Sequence, residues 1–173
     1  MKRNSKAYAV TLSAIACSVA TIALTVGSYF RIALAAGYVL AAFAIMVPLS
    51  EDMYKGATLA YIGACILAFF SGGGILWNLL PFALFFGLHP IINRLQVRFH
   101  WNKWLLLIVK IVWFDVVLYL IWRFTLGGTS YEIIDTYILP VIAIGGSLLC
   151  YAYDYAMFSC QKVIYNLVRK IGK

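Results

Sequence analysis

The 173-residue chain is 64% hydrophobic, only 12% charged, and has a mean hydropathy of +0.91. A soluble domain usually holds about 45–50% apolar and about 25% charged residues. Polar groups this sparse cannot cover the apolar surface, so lipid must be the solvent and the expected fold is all-α, an integral membrane bundle. The net charge of +8 does not point to nucleic acid, because the basic residues lie at the chain ends and in one loop. No aromatic-basic binding module accompanies them.

At about 20 residues per span, the chain accommodates six transmembrane helices in one domain covering residues 1–173. The first is expected over 7–30. It follows the basic start MKRNSK and is too long for a signal-peptide core of about 7–15 residues, so it is expected to be retained. Ala16, Ala20, Ala23 and Gly27 form a small-residue face on it, of the kind that lets helix backbones approach closely in lipid. The second helix is expected over 32–49, with Ala33, Gly37 and Ala41 on one side and Pro48 near its end. The polar turn SEDMYKG leads into a third, short helix over 57–70 with the row Gly56, Ala60, Ala64, Ala68. Ser71-Gly72-Gly73-Gly74 then breaks the helix.

The fourth helix, over 75–92, contains Pro81 and should kink there. Asn93–Lys103, NRLQVRFHWNK, is expected to be a basic loop. The fifth helix, 104–124, is the one around which the others pack. It is almost wholly apolar yet carries Lys110 and Asp115 and ends near Arg123. A charge in lipid costs about 2.5–3.5 kcal/mol even on a lenient scale, so these groups should face protein or a wet cavity. A glycine-led loop, LGGTSYEIIDT, precedes the sixth helix over 137–157. The remaining 158–173 has apolar residues at helical spacing among lysines and arginines, the pattern of an amphipathic tail lying on the membrane surface.

Topology follows from lysine and arginine. With six spans and the N-terminus inside, eleven of the 14 basic residues fall on the inner side. Only Arg31 and Arg123 fall outside, while Lys110 lies within the bilayer. A multi-pass protein of the cell membrane with both termini cytoplasmic is therefore expected.

Signs of catalysis are lacking. His89 and His100 belong to no zinc-protease motif, and no phosphate-binding loop occurs. The four cysteines are single and widely spaced, so neither disulfide nor metal is expected. No catalytic residue, metal or cofactor is assigned. Two polar groups remain. Toward the inner side, Lys110 sits about 10 Å into its span and is placed to pair with Asp154, locking the fifth helix to the sixth. Asp115 is about 17 Å in, near the midplane, where an acid is a functional candidate by default. At the outer side, Arg31, Trp77, Asn78, Arg123 and Tyr131 form with Asp115 the expected substrate-binding set. Their aromatic rings would stack a flat ligand, and Asn78 and Arg123 would fix its polar edge.

Six short helices, a small-residue face on helix 1 and polar outer loops resemble the substrate-binding S component of energy-coupling-factor vitamin transporters. The run LPFALFFGLHPIINRL, followed by Lys110 and Phe114-Asp115, also resembles a group of poorly characterised bacterial membrane proteins. That group has an FFG-aromatic-aromatic-Pro stretch and then a Lys…Phe-Asn pattern; here Leu88-His89 replaces the aromatic pair and Asp115 replaces the Asn. The S-component resemblance implies an outer pocket for a small-molecule ligand and docking through Ala16 and Ala20 onto a transmembrane coupling protein. ATP would be hydrolysed by separate ATPase subunits. Two other functions remain open: a non-transporting membrane scaffold of cell-envelope assembly, and a proton-coupled carrier, although no inverted repeat is visible.

Overall fold

Alanine and glycine at every third or fourth position allow the first three spans to touch along their backbones. In the computed structural model, which describes residues 6–125 and 132–171, these spans are α1 (Lys6–Tyr29), α2 (Leu34–Ser50) and α3 (Tyr54–Ser71). A short 3-10 turn, Arg31–Ala33, leads from α1 into α2. Six helical segments are long and apolar enough to cross a membrane, and all regular structure among the described residues is helical. Ala16, Ala20, Ala41, Ala57, Ala60, Ala64 and Ala68 are buried together with Leu24, Ile45 and Leu49. Gly37 lies so close to α1 that a Cβ there would stand 2.7 Å from the Ala23 carbonyl oxygen. The small face of α1 is thus filled by α2 and α3 of the same chain. Ala16 and Ala20, expected to dock a separate coupling protein, are 3% and 0% exposed and closed to any partner in this conformation.

The fourth span bends where proline requires it. α4 (Leu76–Pro81) passes into a wider π turn, Phe82–Phe86, before α5 (His89–Phe99). Pro81 lacks an N–H, and the Phe82 N–H bonds to Leu79 rather than to Asn78. Carbonyls freed in this way cannot be left bare in lipid. Ring groups of neighbouring helices answer them: Tyr38 Oη donates to Asn78 O, Tyr61 Oη to Ala83 O at 2.5 Å, and Trp113 Nε1 to Leu84 O at 2.8 Å. Tyr153 Oη reaches Phe86 O at 3.3 Å. The kink is a junction held by four aromatic side chains.

Two expectations need correction here. The basic segment 93–103 is not a loop as far as Phe99; α5 continues through it and stops at His100, whose φ of 53° is left-handed. The tail is not a separate surface helix either. After α6 (Lys103–Thr125) and α7 (Glu132–Val141), a second π turn, Ile142–Gly146, opens α8, which runs unbroken from Ser147 to Ile171. Ile164 packs against the cluster of Ala42, Met46 and Met157, and Gln161 is buried. These contacts hold the tail as an extension of the last span.

Lys55, Arg94, Arg98 and Lys162 line neighbouring grooves at one end of the bundle. Arg94 pairs with Asp52 at 2.8 Å, and Arg98 lies 4.9 Å over the Tyr54 ring. One groove there joins Lys55 to Arg98, and another joins Arg94 to Lys162. At the opposite end Tyr29 Oη donates to Ser71 O at 3.0 Å, and Trp77 stacks on Phe124 at 6.4 Å. The four cysteines are free.

Candidate functional site: a buried ionic network

His89, Asn93 and Gln96 recur at i, i+4 and i+7, so α5 presents one face made of polar side chains. That face is the buried one, at 1%, 0% and 5% exposure. Pro90 in the first turn of α5 is placed where a missing N–H costs nothing. Opposite this face stand Lys110 on α6 and Asp154 on α8.

Lys110 Nζ donates to Asn93 Oδ1 at 2.5 Å, to Gln96 Oε1 at 3.1 Å and to Asp154 Oδ1 at 2.8 Å. An ammonium has three N–H groups, and each has an acceptor. The Phe158 ring lies 5.2 Å from the same nitrogen and adds a cation–π contact. Asp154 Oδ1 also meets His89 Nε2 at 2.8 Å. An ionised carboxylate only accepts, so His89 carries its proton on Nε2 in this arrangement. The imidazole packs between Phe85, 5.0 Å away, and Tyr153, 4.9 Å away. Phe85 in turn touches Phe114 with ring centroids 4.3 Å apart. An aromatic layer thus covers the network on the side toward the middle of the bundle and raises the strength of each charge–charge contact.

The structure brings Lys110 and Asp154 together and adds three partners that the sequence alone did not supply. Asn93 and Gln96 lie on a helix where the sequence predicts a loop, and His89 belongs to no motif that signals its pairing. The signal that could have found them is the polar i, i+4, i+7 row at the depth of Lys110. Asn93 still has an unused donor: Nδ2 is buried with no partner among the described residues. A groove of about 660 Å3 ends on Gln96 and Asp154 and is walled by Trp104, Tyr151, Tyr155 and Phe158.

Asp115 stands apart. It lies five residues beyond Lys110, about 7.5 Å along the helix. Its Oδ2 accepts from Ser147 Oγ at 3.1 Å, while Oδ1 is buried without a partner among the described residues. Gly146 permits this approach, because a Cβ there would collide with Oδ1. Asparagine retains an acceptor for Ser147, so Asp115→Asn should leave stability to heating in detergent within about 1 kcal/mol of the parent. A larger loss on heating would show that the charge itself holds α6 to α8.

The remaining sequence-predicted site residues lie at the opposite end. Arg31 is exposed on the 3-10 turn, and Arg123 is exposed near the end of α6. Trp77 and Phe124 form a near-parallel stack at 20°. Asn78 uses its backbone carbonyl to receive Tyr38. Arg31, Trp77, Asn78 and Arg123 line none of the three grooves described above. Tyr131 lies outside the described residues, as do the side chains of Glu132 and Asp135. No protein-family model, curated protein or solved structure matches this chain.

Proposed function

We propose that this chain is the solute-binding subunit of a small-molecule importer in the cell membrane, the function that the S-component resemblance implies. The observation that carries this is the convergence of His89, Asn93, Gln96, Lys110 and Asp154 on one buried point of a lipid-immersed bundle. Ionisable groups in a membrane span mark substrate or ion sites by default. The groove that reaches Gln96 and Asp154 is of a size suited to a vitamin-like solute, within the range of about 300–1,000 Å3. Its aromatic walls suit a flat ring, and Gln96 and Lys103 in its lining offer donors to a carbonyl or carboxylate edge. The basic end is the cytoplasmic one by the positive-inside rule, with both termini there. In this reading the groove is therefore the inward-facing, release side of the solute path and not the outer pocket that the resemblance implies. Energy would come from partner ATPase subunits through a coupling protein that meets the exposed side of α1 rather than Ala16 and Ala20.

The test is extraction in mild detergent followed by mass spectrometry of bound compounds and co-purified subunits. A small molecule should be retained, and Gln96→Ala should weaken its binding roughly tenfold, the effect of about 1.4 kcal/mol. Loss on Asn78→Ala or Arg123→Ala alone would move the site to the opposite end. Recovery of cell-envelope assembly proteins, with no ligand and no coupling subunit, would favour the membrane scaffold instead.

A further inference from the structure

Beside the solute groove lies a second groove of about 420 Å3 between the ends of α5 and α8. Its polar part includes Arg94, Gln161 and Lys162; its apolar part includes Val97 and Phe158, with the Tyr155 ring beside them. Gln161 is 8% exposed, and its Nε2 has no partner among the described residues. The Arg94 Nε is buried in the same condition, although the guanidinium also binds Asp52 through Nη2 at 2.8 Å and covers the Tyr165 ring at 5.6 Å. Two residues that each hold an unanswered buried N–H donor, together with a lysine, therefore line one concavity. Unpaired buried donors cost about 1–3 kcal/mol each, and an acceptor-rich anion would relieve both.

We propose that this groove binds the phosphate of an anionic phospholipid from the adjoining leaflet. Shape and position favour a lipid. Arg94 lies in the last two turns of α5, at the basic end of the bundle. Val97 and Tyr155 are strongly exposed on the groove's flank, at 52% and 71%, and offer an apolar track for an acyl chain. Arginine and lysine supply the charge complementarity that distinguishes an anionic from a zwitterionic headgroup. The two grooves share Val97, Tyr155 and Phe158 as a common wall, but Arg94, Gln161 and Lys162 line this one and not the solute groove.

Native mass spectrometry of the purified full-length protein in mixed micelles of phosphatidylglycerol and phosphatidylcholine tests this. Phosphatidylglycerol should be retained preferentially. Lys162→Ala should lower its affinity about fivefold, from roughly 1 kcal/mol per basic residue, and Gln161→Ala should add to that loss. Lys55→Ala, a lysine at the same end but outside this groove, should leave retention unchanged and serves as the control for general surface charge. Equal retention of both lipids, or retention insensitive to Gln161→Ala and Lys162→Ala, would overturn the proposal. Displacement of phosphatidylglycerol by millimolar inorganic phosphate alone would overturn it too, since the site would then serve a free anion.

Discussion

Lys110→Met should be among the most destabilising single substitutions in this protein, at about 3–5 kcal/mol. The change preserves length and apolar bulk over the Phe158 ring but removes all three N–H donors at once. Asn93 Oδ1 and Gln96 Oε1 lose their donor, and Asp154 keeps only His89 as a partner for its buried charge. Heating in mild detergent, read by the fraction that still elutes as a monodisperse peak, should show a large loss. Adding Asp154→Leu removes the uncompensated charge, so the double variant should recover part of the loss. It should not recover all of it, because His89 and the two amides remain unmatched. A single variant as heat-resistant as the parent would mean that the network contributes nothing to holding α5, α6 and α8 together.

Gly37→Leu should destabilise by about 1–3 kcal/mol or more, through overpacking rather than lost polarity. Leucine is the better helix former by close to 1 kcal/mol, so any loss is steric. Already the first side-chain carbon would stand 2.7 Å from the Ala23 carbonyl oxygen and 3.4 Å from the Gly27 Cα. Both are backbone atoms and cannot rotate away. The helices must separate, which opens the alanine-lined core from Ala20 to Ala41. Gly145→Ala is the matched control: a Cβ there meets nothing within 4 Å, and the same heating assay should show no loss. An unchanged midpoint for Gly37→Leu would show that α1 and α2 have slack at their crossing.

The two effects differ in how visible they are in the sequence. The small-residue rows on the first three spans are periodic and could be read directly as close-packing faces. What they pack against could not, and the expected docking at Ala16 and Ala20 proved to be internal contact. The pair Lys110–Asp154 was legible because two opposite charges at similar depth in lipid have few other partners. Their companions were hidden by the rule that makes apolar periodicity useful. α5 buries His89, Asn93 and Gln96 and exposes Val97 and Phe99, so its pattern is inverted and the segment looks like a solvated loop. Pro81 signals a kink but not the π turn Phe82–Phe86 that follows it, because carbonyls of that turn are answered by Tyr61, Trp113 and Tyr153 from other helices.

Sequence by itself determined that the chain is all-helical, with six segments long and apolar enough to cross a membrane. Span length, composition and the cost of charge in lipid are properties of single segments, and each can be evaluated without knowing its neighbours. Only the tertiary structure decided that five polar side chains from three helices meet at one point, and that α8 runs on without a break. Those outcomes depend on distances between segments far apart in the chain, and a buried amide is favoured only once its partner is within reach.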